Sequence, residues 1–454
     1  MAGRLSGAGI GRGSRVLTLL SDPLATILVL PALWSLDCVP LLAGGSSRRA
    51  EIEEIAGRLR PDHLLTDGRE VAEASRTLRF PALPPLRICR GRERGRLLLP
   101  RGTVLVRTTS GSTGPPRGVA LTASQVLSDA LNILSSLRIP GDMRSLAAVP
   151  LSHAFGFSTL LSPLLFQGRP LILLEAPLPE QFRAALRRHR SLFFPGVPYL
   201  YDLLGRAGIG RDLLGRLKVC VSAGAPLPPE AARSFRRASG SAVRNFYGTS
   251  ECGAIACDRS PRGTAPSGCA GRPLSGVKVS IGRMRAPEGL PGASLRNAGR
   301  VIVRGEAVGL GYVEAGSRPR LFRGRLLTGD LGRLDSRGRL RLLGRLDSLV
   351  NVGGRKVHPA EVERAVRAAP GVKEVVALGI PDARRGEAVA VAVESSGGAD
   401  PVALLDRCRR SLAPHKVPRR LRVVPSLPRT ERGKPDRAAI RALLMEVPSS
   451  RRLR

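Results

Sequence analysis

The sequence has few aromatic residues and no long uninterrupted apolar run. Aromatic side chains make up only 3% of its 454 residues, so a nucleic-acid surface built on stacked rings is not favoured. The most apolar stretch, Val16 to Leu42, contains Asp22, Asp37 and three prolines. A membrane-spanning helix or a signal peptide does not tolerate that mixture. We therefore predict neither a membrane span nor a targeting segment.

Cysteine pairing is also missing from the pattern. The chain has seven cysteines, an odd number, and no CxxC. Cys252, Cys257 and Cys269 lie close together, but their spacing matches no common zinc site. Isolated, reduced thiols suit the cytosol, so we expect a cytoplasmic protein without structural zinc.

Acidic residues are scarce relative to basic ones. The chain has 73 Lys and Arg against 36 Asp and Glu, a formal net charge of +37. The excess is mostly arginine and is spread along the chain, whereas a nucleic-acid surface needs clustering. Two interpretations stay open: an arginine-rich composition, or selection for a polyanionic partner. Nucleic acid is not the partner we expect.

The first 350 residues alternate between short apolar strands and helix-period stretches. This alternation predicts an α/β fold with mostly parallel sheets flanked by helices. The predicted strands are Val16–Leu20, Thr103–Thr108, Leu146–Pro150, Pro170–Leu174 and Lys218–Gly224. The predicted helices are Ala123–Leu137 and Pro179–His189.

The remainder of the chain changes texture twice. Short strands and glycine turns from Gly276 to Leu343 predict a small antiparallel, β-barrel-like section. Beyond it we predict a small mobile α+β domain over residues 348–454, after a large domain over 1–346 and a hinge at Asp347. Its predicted elements are a helix from Pro359, strands Glu374–Ile380 and Ala388–Glu394, a helix Pro401–Leu412 and a strand Leu421–Val424.

The most informative segment is Val106–Gly118, "VRTTSGSTGPPRG". It places hydroxyl and glycine residues after a strand and ends near a basic residue. Glycine lets the backbone curl around phosphates, and hydroxyls and backbone N–H groups donate to their oxygens. It is not a Walker loop, because the GKS/T ending is absent. Taken alone, it is also compatible with a flexible turn.

Six further motifs follow this segment in a fixed order. They are "PLSHAFGF" (Pro150–Phe157), "SAGAPLPPE" (Ser222–Glu230), "NFYGTSE" (Asn245–Glu251), "TGDLG" (Thr328–Gly332), "GRLDSLVNVGGRKVHPAEVE" (Gly344–Glu363) and "PRTERGKPDR" (Pro428–Arg437). With them the chain resembles the adenylate-forming superfamily of acyl-CoA synthetases, luciferases and peptide-synthetase adenylation domains. The resemblance runs from about Gly9 to Arg437. Family members usually carry a further N-terminal stretch. It is missing from this sequence, so the resemblance leaves the packing of the first subdomain open.

The resemblance implies a two-step reaction. A carboxylic acid and ATP give acyl-AMP and pyrophosphate, and the acyl group then passes to a thiol, with Mg²⁺ as the metal. We expect the thiol to be coenzyme A, with the phosphopantetheine of a carrier protein as the second alternative. Carrier proteins are usually acidic, so the positive charge would suit one. A non-catalytic, polyanion-binding relative is the third alternative.

The resemblance also assigns residues. For the triphosphate it implies a phosphate loop of Thr109, Ser110, Gly111, Ser112, Thr113 and Gly114. For the adenine it implies a site of Gly224, Ala225, Pro226, Asn245, Phe246, Tyr247 and Gly248, with Thr249 beside it. For the ribose it implies contacts from Asp330 and Arg345. For catalysis it implies Ser250 at phosphate, Glu251 at Mg²⁺, Arg117 in place of the usual lysine, and Lys434 between the acid and the α-phosphate. For the acid and the thiol it implies His153, with Gly224 and Lys434, and then Gly353, Gly354 and Lys356 beside the pantetheine.

Several of these residues have a plainer alternative. Glu251 is also compatible with a surface carboxylate, Asp330 with a turn cap and Lys434 with a solvated charge. His153 is also compatible with a packed core histidine. Amino-acid-activating domains of the resembled family hold the substrate amine with an aspartate-bearing motif, and this motif is absent here. We therefore expect a fatty or aryl acid without an α-amino group.

Overall fold

The computed structural model describes most of the chain. The described residues are 1–45, 47, 49–68, 76–91, 97–109, 116–260, 268–282, 297–346, 350–352, 355–357, 359–382, 386–412, 414–430 and 434–446. They fall into two compact units. The first comprises residues 1–280, 302–327 and 335–340, and the second comprises 281–301, 328–334 and 341–454.

The helices are distributed over both units. They are α1 Ala2–Gly7, α2 Pro23–Trp34, α3 Arg49–Leu59, α4 Ala123–Leu137, α5 Ala154–Gly156, α6 Ser162–Gln167, α7 Pro179–Arg188, α8 Pro198–Arg206, α9 Arg211–Leu214, α10 Pro229–Ser239, α11 Pro359–Arg367, α12 Pro401–Ser411 and α13 Arg437–Met445. A π-helical turn covers Phe157–Leu161 and a 3₁₀ turn covers Pro414–Lys416.

The strands form three sheets. They are β1 Arg15–Leu20, β2 Val39–Gly44, β3 His63–Thr66, β4 Arg76–Leu78, β5 Leu86–Arg90, β6 Leu105–Thr108, β7 Gly118–Leu121, β8 Arg144–Ala147, β9 Leu171–Leu173, β10 Leu192–Gly196, β11 Leu217–Ser222, β12 Val243–Thr249, β13 Gly253–Cys257, β14 Cys269–Pro273, β15 Lys278–Gly282, β16 Gly299–Arg304, β17 Gly311–Val313, β18 Arg320–Leu321, β19 Arg325–Leu334, β20 Leu340–Arg345, β21 Val350–Val352, β22 Arg355–Val357, β23 Glu374–Asp382, β24 Gly386–Glu394 and β25 Arg420–Val424.

The first sheet has nine strands in the order β18-β17-β7-β6-β2-β1-β3-β5-β4. Its centre, β6-β2-β1-β3, is parallel, and antiparallel strands flank it on both sides. The predicted strand Val16–Leu20 is β1, and its residues 16–20 are all buried. The apolar run from Val16 to Leu42 therefore divides into a strand, a helix and a second strand. Helix α2 begins at Pro23, and the side chain of Asp22 caps it by accepting from the Ala25 N–H.

The second sheet is parallel over β9-β8-β10-β11-β12 and then antiparallel through β13 and β14. Helix α4 has the predicted bounds, because Thr122 and Gln125 form a reciprocal capping box at its start. The prediction of an α/β fold is confirmed, with the parallel strands in the centre of the first sheet and at one end of the second.

The β-barrel-like section predicted from Gly276 to Leu343 consists of β15 to β20. Four of these strands continue the open, eleven-stranded second sheet and two belong to the first sheet. Among the residues that the structure describes, they do not close into a barrel.

The second unit contains the small α+β section predicted after residue 347. Strands β23 and β24 pair antiparallel, and β25 adds in parallel to β24. Alternate residues of β24 face opposite sides. Val389, Val391 and Val393 pack with α11 and α12, whereas Ala388, Ala390 and Ala392 pack with α13. The alternation of valine and alanine thus sets which helices cover each face.

Two findings concern the apolar segments and the cysteines. None of the helices there is long and apolar enough to cross a bilayer. All seven cysteines are described, buried and unpaired.

Candidate active site

The base of the predicted phosphate loop is closed by two of its predicted residues. Strand β6 ends at Thr108, so Thr109 begins the loop. The Thr109 N–H donates to the Arg117 carbonyl at 2.8 Å, and the Arg117 N–H donates back to Thr109 Oγ1 at 3.1 Å. These bonds fix where the loop leaves and rejoins the sheet. Ser110, Gly111, Ser112, Thr113 and Gly114 lie outside the described residues.

Glu251 lies in the turn of a hairpin. Strands β12 and β13 pair antiparallel, with Thr249 opposite Gly253. The Glu251 carbonyl accepts from the Gly309 N–H at 2.8 Å. Gly253 has φ of +65°, a conformation that favours glycine. The turn thus holds the half-buried Glu251 and its neighbour Ser250 between the end of β12 and the start of β13.

Tyr312 joins Glu251 to the base of the phosphate loop. Its hydroxyl donates to Glu251 Oε1 at 2.7 Å. The Arg117 guanidinium lies over the Tyr312 ring, 5.2 Å from its centroid. Strand β17 pairs with β7, with Tyr312 opposite Val119, so the ring lies beside Arg117. One aromatic side chain thereby places an arginine and a carboxylate beside the same loop.

The electrostatics of this cluster favour a hydroxyl donor. Burial, the negative charge of Glu251 and the hydrogen bond to it raise the pKa of Tyr312, so the phenol stays protonated and donates. Burial also raises the pKa of the Cys252 thiol next to Glu251. A buried thiol of this kind is inert, so Cys252 is not a candidate nucleophile.

The predicted adenine segments lie on neighbouring parallel strands. Ser222 at the end of β11 is opposite Asn245 of β12, so Gly224, Ala225 and Pro226 leave β11 at the level of the residues after Asn245. All three are exposed, and so is Gly248, whereas Tyr247 is half-buried. These segments therefore follow the carboxyl ends of two neighbouring interior strands of the second sheet.

Two of the predicted adenine residues have structural contacts of their own. The Asn245 side-chain amide donates to the Cys269 carbonyl at 3.1 Å. Phe246 is 7% exposed, and its ring centroid lies 5.5 Å from that of Phe155. Phe155 follows His153, the half-buried N-cap of α5. The His153 segment therefore packs against β12, next to the predicted adenine segments.

Asp330 and Arg345 lie on neighbouring backbone segments of the second unit. The Leu346 N–H donates to the Gly329 carbonyl at 2.7 Å. The Asp330 N–H donates to Thr328 Oγ1 at 3.1 Å. Asp330 is half-buried and Arg345 is exposed.

Lys434 lies near the end of the second unit. Its carbonyl accepts from the Thr430 N–H at 2.8 Å, and its side chain is exposed. Lys356 lies on β22, opposite Asn351 in the backbone register. Asp347, Gly353 and Gly354 lie outside the described residues.

Glu251 is the carboxylate of the candidate site that could hold Mg²⁺. Among the described residues there is no group of three or more His, Cys, Asp or Glu side chains that could hold a metal ion. Mg²⁺ is commonly held by one or two carboxylates together with substrate phosphates and water. Glu251 beside the phosphate loop is a carboxylate of this kind.

Sequence reasoning missed Tyr312. It lies 61 residues after Glu251, inside the glycine-rich stretch from Gly276 to Leu343, where the sequence predicts only short strands. The available signal was a lone aromatic residue between two glycine turns in a chain poor in aromatics. The pairing of β17 with β7, which gives Tyr312 its place, has no local signature.

Comparison with known proteins identifies the family. Residues 1–313 match the family described as AMP-binding enzyme, and residues 361–434 match the AMP-binding enzyme C-terminal domain. The chain therefore belongs to the AMP-binding enzymes, the adenylate-forming superfamily that the motifs indicated.

Curated relatives are named as CoA ligases. The chain is 32% identical to sulfoacetate–CoA ligase of Cupriavidus necator over 74% of its length and 66% of the relative. It is 30% identical to a long-chain-fatty-acid–CoA ligase of Bacillus subtilis over 72% of its length and 59% of the relative. The chain thus spans less than two thirds of these two relatives. It is 27% identical to 2-succinylbenzoate–CoA ligase of Bacillus cereus over 98% of its length and 92% of the relative.

Solved structures share the fold. ATP-bound MatB from Rhodopseudomonas palustris aligns with a TM-score of 0.76 and 25% identity, covering 97% of this chain and 91% of that one. O-succinylbenzoate coenzyme A synthetase from Bacillus subtilis with AMP aligns with a TM-score of 0.78 and 23% identity, covering 98% and 91%.

Proposed function

We propose that this chain is an ATP-dependent acid–thiol ligase. It converts a carboxylic acid to acyl-AMP with release of pyrophosphate, and then transfers the acyl group to coenzyme A. The observation that carries the proposal is the cluster of Thr109, Arg117, Tyr312 and Glu251 at the base of the phosphate loop.

The first step brings two anions together, a carboxylate and a triphosphate. The phosphate-loop backbone and hydroxyls, beginning at Thr109, hold the triphosphate, and Arg117 adds a positive charge. Glu251 would hold Mg²⁺, which would supply further charge neutralisation where negative charge concentrates. Lys434 brings its ammonium to the acid and the α-phosphate. Asp330 and Arg345 hold the ribose.

Arg117 differs from a lysine at the same position. A guanidinium is a planar fork that stacks on aromatic faces, whereas an ammonium is a point charge. The Tyr312 ring under Arg117 suits the guanidinium and orients it. In our proposal Tyr312 therefore positions both the cation and the carboxylate of the site.

The proposed acid has no α-amino group. The curated relatives are named for sulfoacetate, a long-chain fatty acid and 2-succinylbenzoate, and none of these is an amino acid. The same names favour coenzyme A as the acceptor over the acidic carrier protein considered from the charge. We propose a fatty or aryl acid within this class.

The test is acid-dependent exchange of labelled pyrophosphate into ATP. Purified protein is assayed with Mg²⁺ against a panel of fatty, aryl and short dicarboxylic acids, with amino acids as the contrasting set. We expect exchange with at least one acid of the first three groups. Exchange with none of the acids would contradict the proposed function.

A matched variant tests the metal assignment. Glu251→Gln keeps the size of the side chain and removes its charge, so a higher Mg²⁺ concentration should be needed for half-maximal exchange. An unchanged Mg²⁺ titration would remove Glu251 from the metal site. Once an active acid is found, product formation with free coenzyme A and with an acidic carrier protein distinguishes the two acceptors.

A further inference from the structure

A buried ion pair lies beneath the candidate site. Arg107 of β6 and Asp129 of α4 have side chains only 3% exposed, and Arg107 Nη2 lies 3.9 Å from Asp129 Oδ2. The Arg107 guanidinium also lies over the Phe157 ring, 4.5 Å from its centroid. Both residues therefore carry their polar groups inside the core of the first unit.

The Asp129 carboxylate is shared between three elements. Its Oδ1 accepts from the Ala254 N–H of β13 at 2.9 Å. Its Oδ2 accepts from the Ser158 hydroxyl in the π-helical turn. A Cβ on Gly253 would lie 2.1 Å from Oδ2, so the glycine lets the hairpin backbone approach the carboxylate.

These contacts connect two segments of the candidate site. Ala254 lies three residues after Glu251, at the start of the strand that follows its turn. Arg107 lies two residues before Thr109, on the strand that leads into the phosphate loop. The Arg107–Asp129 pair is therefore a buried contact between the strand that leads into the phosphate loop and the backbone that follows Glu251.

Stability alone is a weak reason for such a pair. Removing two charges from water costs several kcal/mol per ion, and replacing a buried pair with apolar residues is often neutral or stabilising. Burial lowers the pKa of Arg107 and raises that of Asp129, in keeping with that cost. The Asp129 carboxylate accepts hydrogen bonds from both Ala254 and Ser158. Positioning of these two segments is therefore a better explanation for a buried carboxylate here than stability.

We propose that Asp129, neutralised by Arg107, is a positioning residue that holds the Glu251 turn against β6, the strand that leads into the phosphate loop. This inference rests on the proposed function. It predicts that Asp129 sets the affinity for Mg²⁺ and ATP without touching either.

The test compares three single variants of the full chain. Asp129→Ala removes the carboxylate, and Asp129→Asn keeps an oxygen that can accept from Ala254. Asp62→Asn is the matched control, because Asp62 also pairs with an arginine of the first sheet, Arg15, but has no described contact with the hairpin. The readouts are the Mg²⁺ concentration for half-saturation of ATP binding, measured by calorimetry, and the deuterium uptake of peptides covering residues 249–257.

We expect Asp129→Ala to raise the half-saturating Mg²⁺ concentration about tenfold or more, as the loss of a group that orients a metal ligand does. Relative to the wild-type protein, deuterium uptake over residues 249–257 should rise by more than the average increase over the rest of the chain. Asp129→Asn should show smaller changes of both kinds. Asp62→Asn should lower the melting temperature and change neither readout.

The proposal is overturned if Asp129→Ala lowers the melting temperature as Asp62→Asn does while both readouts stay at their wild-type values. Should Asp129→Ala not fold, Asp129→Asn decides, and unchanged readouts overturn the proposal. If the wild-type protein binds no ATP with Mg²⁺, the proposed function fails. Deuterium uptake in the variants still decides whether Asp129 holds the hairpin.

Discussion

At the scale of single residues, the candidate site depends on one phenol. Tyr312 donates to Glu251 and lies under Arg117, so the same side chain orients the carboxylate and the cation. The two functions of Tyr312 separate by substitution, because phenylalanine keeps the ring and removes the donor.

Tyr312→Phe should weaken the use of Mg²⁺. A hydrogen bond to a charged group contributes about 1.5–3 kcal/mol, so we expect about a tenfold rise in the Mg²⁺ concentration for half-maximal pyrophosphate exchange. Tyr199→Phe is the matched control, because Tyr199 is 66% exposed. Equal Mg²⁺ titrations for the two variants would show that the Tyr312 hydroxyl does not position Glu251.

His63 gives a pH dependence at a single residue. Burial lowers its pKa, and the charge of Arg90 adds to this, although Asp62 opposes it. The unfolded chain therefore binds a proton more readily than the folded one, and stability falls as pH drops below the ordinary histidine value of about 6.5.

Melting temperatures measured from about pH 7 to about pH 5, an interval that spans the ordinary histidine pKa, test this dependence. The wild-type protein should lose more melting temperature over that interval than His63→Gln. Parallel curves for the two proteins would exclude His63 as the titrating group.

At the scale of elements, Tyr201 connects a helix to two strands. Its hydroxyl lies 2.8 Å from the Phe194 carbonyl of β10 and 2.9 Å from the Val221 carbonyl of β11. The side chain is fully buried, so no water replaces a lost hydrogen bond. This contact fixes α8 against the parallel part of the second sheet.

Tyr201→Phe should lower the free energy of unfolding by about 1–2 kcal/mol, as a lost buried hydrogen bond does. Urea unfolding followed by tryptophan fluorescence measures this change, because Trp34 is the single tryptophan and lies in the first unit. Tyr199→Phe is again the control. An unchanged midpoint for Tyr201→Phe would mean that the carbonyls find other donors.

The elements also show what the sequence could reveal. Helix α4 was predicted with its observed bounds, since its capping box and apolar period are local. Strand β8 was predicted at Leu146–Pro150 and lies at Arg144–Ala147. An apolar run does not mark the residues at which a strand begins and ends. The motif order predicted the family, but the site residues remain predictions.

The buried polar contacts were missed because they depend on pairing between distant strands. Two signals were nonetheless present. Arg107 is a charge in an otherwise apolar strand, and Asp129 shares a face of α4 with the buried Val126 and Ile133. A charge on each of two buried faces indicates an internal partner, but only the fold shows which partner it is.

At the scale of the whole molecule, the proposed reaction uses residues from both compact units. Thr109, Arg117 and Glu251 belong to the first unit, and Lys434 belongs to the second. Acyl-AMP formation and thioester formation can be measured separately, and this separates the contributions of two segments of the second unit, those of Lys434 and Gly354.

Lys434→Ala should slow acyl-AMP formation by about 10²–10³, as the loss of one placed donor does. Thioester formation from supplied acyl-AMP should be nearly unchanged. Gly354→Leu is the opposite case, since a side chain there should obstruct the pantetheine and spare the first step. Equal slowing of both steps by each variant, with unchanged melting temperatures, would contradict this division of labour.

The strand order of the first sheet has a consequence for synthesis on the ribosome. Strand β17 pairs with β7, and Gly311 lies opposite Ala120, so nearly two hundred residues emerge between the two partners. Until then β7 is an edge strand, although Val119 and Ala120 are fully buried in the finished fold. Exposed edges of this kind are where nascent chains aggregate. The contact between Tyr312 and Glu251 forms at the same moment, because Tyr312 arrives on β17 and only then reaches Glu251.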